Sequence, residues 1–297
     1  MEEAITSTAN VSQIIIDTIN NLLGTLFSSI DNSVYESLDK LAFINTDFIY
    51  DSFFNKVFGM DVNNGLLLIA NSLLVAVCLY YCFKLLYSHF SGIAIEKPYQ
   101  FVFKLLIFAI FINFSFFICE FFIYFNSLIS AAIRDIGNIV FDTEISFSSL
   151  IENLNSIITI DSNSFNVFSF DGLLKSLISM SFISLLFSYS LRYIMLSVFT
   201  LLTPFAFLTL INTSTSWFFK SWLKIFLSLL FIQPFISLIL LIVFALDFNS
   251  TNIIAKVLCV GGLYALLKAN SYVQQFVGGI STDITQNLNF MKLRNKI

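Results

Sequence analysis

Residues 65–83 read GLLLIANSLLVAVCLYYCF, a stretch without a charged side chain that is closed by Lys84. Its length matches the roughly 20 residues that an α-helix needs to cross a hydrocarbon core about 30 Å thick. Working outward, four more apolar stretches follow: Leu105 to about Leu128, Leu173–Ile211, Leu223–Leu246 and Ile253 to about Leu267. Composition agrees with this reading. Of the 297 residues 57% are hydrophobic and 11% charged, with a mean hydropathy of +0.86, whereas an ordinary soluble domain carries roughly 25% charged residues. The expected fold is all-α, a polytopic helical membrane protein with about five transmembrane spans in one membrane domain. The 37 phenylalanines, with abundant Ile, Asn and Ser, reflect an AT-rich genome rather than a special binding surface.

Charge placement orients the spans, because Lys and Arg near span ends stay preferentially on the cytoplasmic side. With the N-terminus outside and the C-terminus inside, Lys84, Lys97, Lys104, Lys220, Lys224, Lys268, Lys292, Arg294 and Lys296 are cytoplasmic. Lys40, Lys56, Arg134, Lys175 and Lys256 are outside, and Arg192 lies within the third block. The acidic residues other than Glu96, Asp283 and Glu120 also fall outside. The organisation is then an extracytoplasmic amphipathic helical region (1–64), two spans with a short cytoplasmic loop (65–128), an extracytoplasmic loop (129–172), the remaining spans (173–270) and a cytoplasmic tail (271–297). The Met1-Glu2-Glu3 start, with no basic residue before the first apolar stretch, argues against a cleavable signal peptide.

The third block would be about 58 Å long as one helix, nearly twice the hydrocarbon thickness. Crossing twice, with Arg192 at the turn, would give six spans but place Lys220 and Lys224 outside or invert the first half, so the preferred reading is one long span bent at Pro204, with Phe205–Ile211 re-entrant or along the inner interface. Outside the spans, Val11–Ile30 is an amphipathic helix with Val11, Ile15, Ile19, Leu22, Leu26 and Ile30 on one face, suited to docking or to lying on the leaflet surface. Residues 34–58 repeat the pattern less cleanly through Leu38, Leu41, Phe48, Phe53, Phe54 and Phe58.

Chemical machinery is sparse. His89 stands in a short loop without a carboxylate or cysteine partner, and Cys78, Cys82, Cys119 and Cys259 all fall in apolar runs as free thiols. Phosphate loops, HExxH and G-x-S-x-G motifs are missing from the chain. No catalytic residue, cofactor or metal is therefore expected. The structural and assembly candidates are the intramembrane ionisable residues Glu120 and Arg192, the helix-interrupting Pro204 and Pro234, the aromatics Trp217 and Trp222, and Gly261 and Ala265 of a small-residue face that continues to Ala269. Pro204 and Pro234 free the carbonyls of Thr200 and Leu230.

Several stretches together resemble the VirB6/TrbL family, polytopic inner-membrane components of type IV secretion and conjugation systems. They are Arg192-Tyr193-Ile194-Met195-Leu196, Leu202-Thr203-Pro204-Phe205-Ala206, Trp217 with Lys220, Trp222 and Lys224, and Gln233-Pro234. Glu96-Lys97-Pro98-Tyr99-Gln100-Phe101 and Phe116-Phe117-Ile118-Cys119-Glu120 belong to the same likeness, which covers roughly residues 60–280. The resemblance implies a multi-pass protein of the bacterial plasma (inner) membrane that acts as a channel or scaffold subunit without catalytic activity of its own. Its implied partners are further copies of itself, other type IV secretion subunits including ATPases, membrane lipid, and transiently the translocated DNA or protein. The competing readings are a small-solute secondary transporter and a non-transporting membrane assembly factor. A reporter fused after Leu150 should report outside and one fused after Lys296 inside; a tail detected outside would reverse the orientation drawn from charge.

Overall fold

A computed structural model describes residues 18, 32–59, 65–92, 96–157, 170–246 and 253–277. The amphipathic segment Val11–Ile30 and the tail beyond Val277 lie outside the described residues, apart from Thr18. Among the described residues the chain is helical without a strand. The elements are α1 (Asn32–Ala42), α2 (Ser52–Phe58), α3 (Leu66–Ser91), α4 (Pro98–Asn113), α5 (Ser115–Phe141), α6 (Phe147–Ile157), α7 (Phe170–Leu201), α8 (Thr203–Leu208), α9 (Ser216–Phe244) and α10 (Ile253–Val277). Short 3-10 turns cover Thr46–Phe48 and Thr209–Ile211. Five of the helices, α3, α5, α7, α9 and α10, are long and apolar enough to cross a membrane.

Helix α9 is the hub. Half of its apolar window is buried, against 11% for that of α3, and it packs on α5, α7 and α10. In a bilayer the hydrophobic effect does not drive such packing, because lipid tails are as apolar as leucine; close approach and interhelical hydrogen bonds do. Both are present. Ser130 and Ser237 hydroxyls lie 2.6 Å apart and Asn126 Nδ2 donates to Gln233 Oε1 at 3.4 Å, which joins α5 to α9. A Cβ placed on Gly137 would meet Ile145 and Leu241 side chains at 2.6 and 2.7 Å, so glycine is what admits them.

The second expected span, Leu105 to about Leu128, is divided. Helix α4 stops at Asn113 and α5 starts at Ser115, with Phe114 at φ −90° and ψ 4° between them. Local side chains compete with the ladder here: Asn113 Nδ2 donates to the Ala109 carbonyl at 2.8 Å and Ser115 Oγ to that of Ile112 at 2.6 Å. Helix α5 then runs on to Phe141, and α6 follows, so much of the expected outer loop is helical. Asp142, in the left-handed region at φ 53°, ends α5.

The third block is interrupted beside Pro204, where the bend is expected. Helix α7 ends at Leu201, and α8 with its 3-10 turn continues to Ile211. Trp222 packs against this break: its indole Nε1 donates to the Phe199 carbonyl of α7 (2.8 Å), and its ring meets that of Phe207 on α8 (centroids 6.1 Å apart). The indole thus touches both sides of the break. Phe207 packs with Ala70 and Ile112, and Ile211 with Tyr81 and Phe101, which fastens the α3–α4 hairpin to this elbow.

Residues 34–58 form a strap built into the main core rather than a separate region. Leu38, Ala42, Phe48, Phe54 and Phe58 are buried with residues of α5, α7 and α9, while Glu36, Lys40, Asp47 and Asp51 face outward. The strap ends where Gly59, at φ 95°, touches Gly65; a Cβ on Gly65 would sit 2.4 Å from the Gly59 Cα. That contact requires glycine on both sides.

The small-residue face turns inward by degrees, from exposed Gly261 to fully buried Ala269. Gly261 has open space around it and Ala265 is half-buried, whereas Gly262 meets Val243, with a Cβ placed there only 2.3 Å from Cγ2. Spacing of four residues identifies a face but not which side it turns to. Gly262→Leu should therefore destabilise the protein by about 1–3 kcal/mol through overpacking, while Gly261→Leu leaves thermal unfolding in detergent unchanged; equal effects would contradict this packing.

Candidate functional site

Among the described residues the buried cation of the bundle is Arg192 of α7, whose side chain is 1% exposed. Its Nε donates to the Leu229 carbonyl of α9 at 2.9 Å and its Nη1 to the Ala42 carbonyl at the end of α1, also at 2.9 Å. Nη2 has no hydrogen-bond partner, and neither does the hydroxyl of buried Tyr189, one turn away on α7. Leu229 precedes Leu230, the residue whose carbonyl loses its helical donor to Pro234, which is buried within α9. Arg192 thus enters α9 beside its proline interruption and ties that point to the strap.

The α7–α8 elbow is resolved by side chains. The Thr200 carbonyl, freed by Pro204, accepts a hydrogen bond from the Thr203 hydroxyl at 2.7 Å, and the Phe199 carbonyl accepts from Trp222 Nε1. Thr203 Oγ1 also lies 3.0 Å from Cys119 Sγ on α5. Pro204 itself occupies the first turn of α8, where its missing N–H costs nothing. Trp222 stacks on Phe226 with centroids 5.2 Å apart, extending the joint along α9.

The strap carries a second set of anchors. Tyr50 Oη donates to Glu120 Oε1 at 2.5 Å, so Glu120 on α5 holds the strap. This bond to the carboxylate holds the Tyr50 phenol above its ordinary range. Asp39 accepts from the backbone N–H groups of Phe147 (2.8 Å) and Ser148 (3.2 Å) and from the Ser148 hydroxyl (2.9 Å). It thereby caps α6, where a negative charge suits the helix dipole. Burial nevertheless pushes the Asp39 carboxyl up, outweighing these hydrogen bonds and the charge of Arg134, which pull it down. The Arg134 guanidinium sits 4.2 Å from the Phe43 ring centroid, a cation–π contact.

Of the residues singled out in the sequence, Arg192, Pro204, Trp222, Pro234 and Glu120 fall on the joint between strap, α5, α7 and α9. Trp217 does not; it is 64% exposed at the start of α9. Gly261 and Ala265 also lie away from the joint, on α10. Sequence reasoning missed Asp39, Tyr50 and the Asn126–Gln233 and Ser130–Ser237 pairs. A signal for the pairs exists: Asn126 with Ser130, and Gln233 with Ser237, are polar residues at i, i+4 inside apolar helices. Among the described residues no group of three His, Cys, Asp or Glu side chains is arranged to hold a metal. The arrangement orients helices by hydrogen bonding to backbone carbonyls.

No family model matches the chain, and neither does a curated protein or a solved structure.

Replacing Arg192 by Ala should leave the Ala42 carbonyl without a partner and a cavity beside Leu229, at a cost of about 2–5 kcal/mol. The readout is limited proteolysis: cleavage beside Lys40 and Lys56 should accelerate as the strap detaches, with Arg192→Lys restoring protection only in part. Unchanged cleavage in Arg192→Ala would show that the strap is held without it.

Proposed function

We propose that this chain is a membrane-embedded channel or scaffold subunit of a bacterial type IV secretion apparatus, driven by partner ATPases and free of catalytic chemistry of its own. The observation that carries the proposal is spatial. Arg192, Thr203-Pro204, Glu120, Trp222 and Gln233-Pro234 come from separate stretches of the likeness to the VirB6/TrbL family, and each lies at a contact or a break among the strap, α5, α7, α8 and α9. Residues used in this way build a frame. Their hydrogen bonds run to backbone carbonyls and to side chains of neighbouring elements such as Tyr50 and Asn126, as suits a subunit whose task is to hold helices and neighbouring copies in register. On this reading the protein sits in the bacterial inner membrane, in several copies, beside the cargo path.

One observation favours a small-solute transporter instead. A broken helix and a buried arginine with a free N–H are features of transporter binding sites near the bilayer midplane. Mild-detergent purification from the native host, with mass spectrometry of co-purifying proteins, separates the two readings. Secretion ATPases and envelope subunits should appear with the wild-type chain and be depleted with Trp222→Ala, while membrane insertion of the variant stays normal. Recovery of the wild-type chain alone, as a small discrete particle, would overturn the secretion reading in favour of the transporter.

A further inference from the structure

The elbow at Trp222 has a second effect, on charge. Because Ile211 packs against Tyr81 and Phe101, the tip of the α3–α4 hairpin is brought beside the start of α9. Tyr81 and Phe101 are themselves stacked with centroids 3.7 Å apart. Lys84 lies one turn beyond Tyr81, Lys104 one turn beyond Phe101, and Lys97 immediately before α4. Lys220 and Lys224, both exposed, come from the first turns of α9. The acid on the described part of this face is Glu96, and it is already paired with Lys104 at 2.5 Å. Four lysines are therefore left without a described counter-charge, on a chain whose formal net charge is −4. Acidic side chains gather at the strap and α6 instead, as Asp39, Asp47, Asp51, Asp142, Glu144 and Glu152.

The apolar surroundings of these lysines differ from an ordinary solvated surface. Tyr87 and Tyr99 are 65% and 66% exposed on the hairpin tip, and Trp217 is 64% exposed one turn before Lys220. Tyr and Trp with an apolar ring and a polar edge are the residues that settle at headgroup depth. Lysines at the same depth, between helix ends, meet lipid phosphates rather than bulk water.

We propose that this face binds anionic phospholipid headgroups of the leaflet on its side of the membrane, with Lys97 and Lys220 on the phosphate and Tyr99 and Trp217 against the glycerol and upper acyl chains. The site joins two parts of the protein that otherwise meet through α8 and its 3-10 turn, so a bound lipid bridges the hairpin and the main bundle. This inference is independent of the secretion reading, because it rests on the placement of lysines and aromatics alone.

The test is native mass spectrometry of the full chain in mild detergent, titrated with phosphatidylglycerol or with phosphatidylcholine. Phosphatidylglycerol should be retained in preference, and the preference should weaken as salt screens the lysines. The double variant Lys97→Gln with Lys220→Gln should lose roughly 25-fold in affinity for phosphatidylglycerol, about fivefold per lysine. Lys97→Arg with Lys220→Arg should restore retention, and Lys40→Gln with Lys56→Gln at the acidic end should match the wild type. Equal retention of the two lipids by the wild type, undiminished binding by the Gln variant, or the same loss in the Lys40 and Lys56 control would each overturn the proposal.

Discussion

A guanidinium group inside an apolar bundle must be given oxygen acceptors, because it stays protonated and because a bare charge in hydrocarbon is costly. Arg192 obtains its acceptors from two separate elements, the Leu229 carbonyl of α9 and the Ala42 carbonyl of α1. Each bond has a positional consequence. The first sets the depth of α7 against α9, and the second brings the end of α1 against the spans, so that Phe48 packs on Tyr193 and Phe58 on Phe116 farther along the strap. With the strap in place, Tyr50 reaches Glu120 and Asp39 reaches the N-terminus of α6. A single buried cation is thus the point from which α1, α6, α7 and α9 take their relative positions.

The elbow between α7 and α8 depends on the same economy of carbonyls. Pro204 removes one donor, and Thr203 and Trp222 supply the side-chain donors that the carbonyls of Thr200 and Phe199 accept. Helix α8 then leads away to the α3–α4 hairpin, whose two small apolar clusters are separate from the main core. Much of the hairpin's apolar surface, including Leu79, Phe83, Phe103 and Leu106, faces outward. In a bilayer that surface is covered by lipid or by neighbouring protein without any cost of exposure to water.

The spans were legible because a run such as residues 65–83 has one physical use at that length, and the five long apolar helices are the ones that apolar length identifies. Their breaks were harder to read. Asn113 and Ser115 are each tolerated within helices, and only the pairing of their side chains with Ala109 and Ile112 carbonyls shows why Phe114 departs from the ladder. The alternation of Leu38, Phe48, Phe54 and Phe58 with acids fits a leaflet surface as well as a core, so the strap's burial has no signature of its own. Arg192 was conspicuous as a charge, but its partners are backbone carbonyls, which every residue possesses. Gly261 and Gly262 are neighbours whose faces differ by about 100°, and Val243 decides between them. The motifs behind the family likeness are apolar and degenerate, which is why they point to a joint more clearly than to a reaction.

The bond between Arg192 and Ala42 also governs the order of events during biosynthesis. Ala42 emerges from the ribosome long before Arg192, 150 residues later in the chain. At translation rates of about 5–20 residues per second the strap waits about 8–30 s for the α7 side chain that anchors its end. Throughout that interval Leu38, Phe48 and Phe58 have no finished core to enter, and Arg192 itself enters the membrane with one of its two acceptors still unmade. The strap is therefore synthesised well before the group that holds it, and the time at which it can settle is set by the synthesis of α7 rather than by its own.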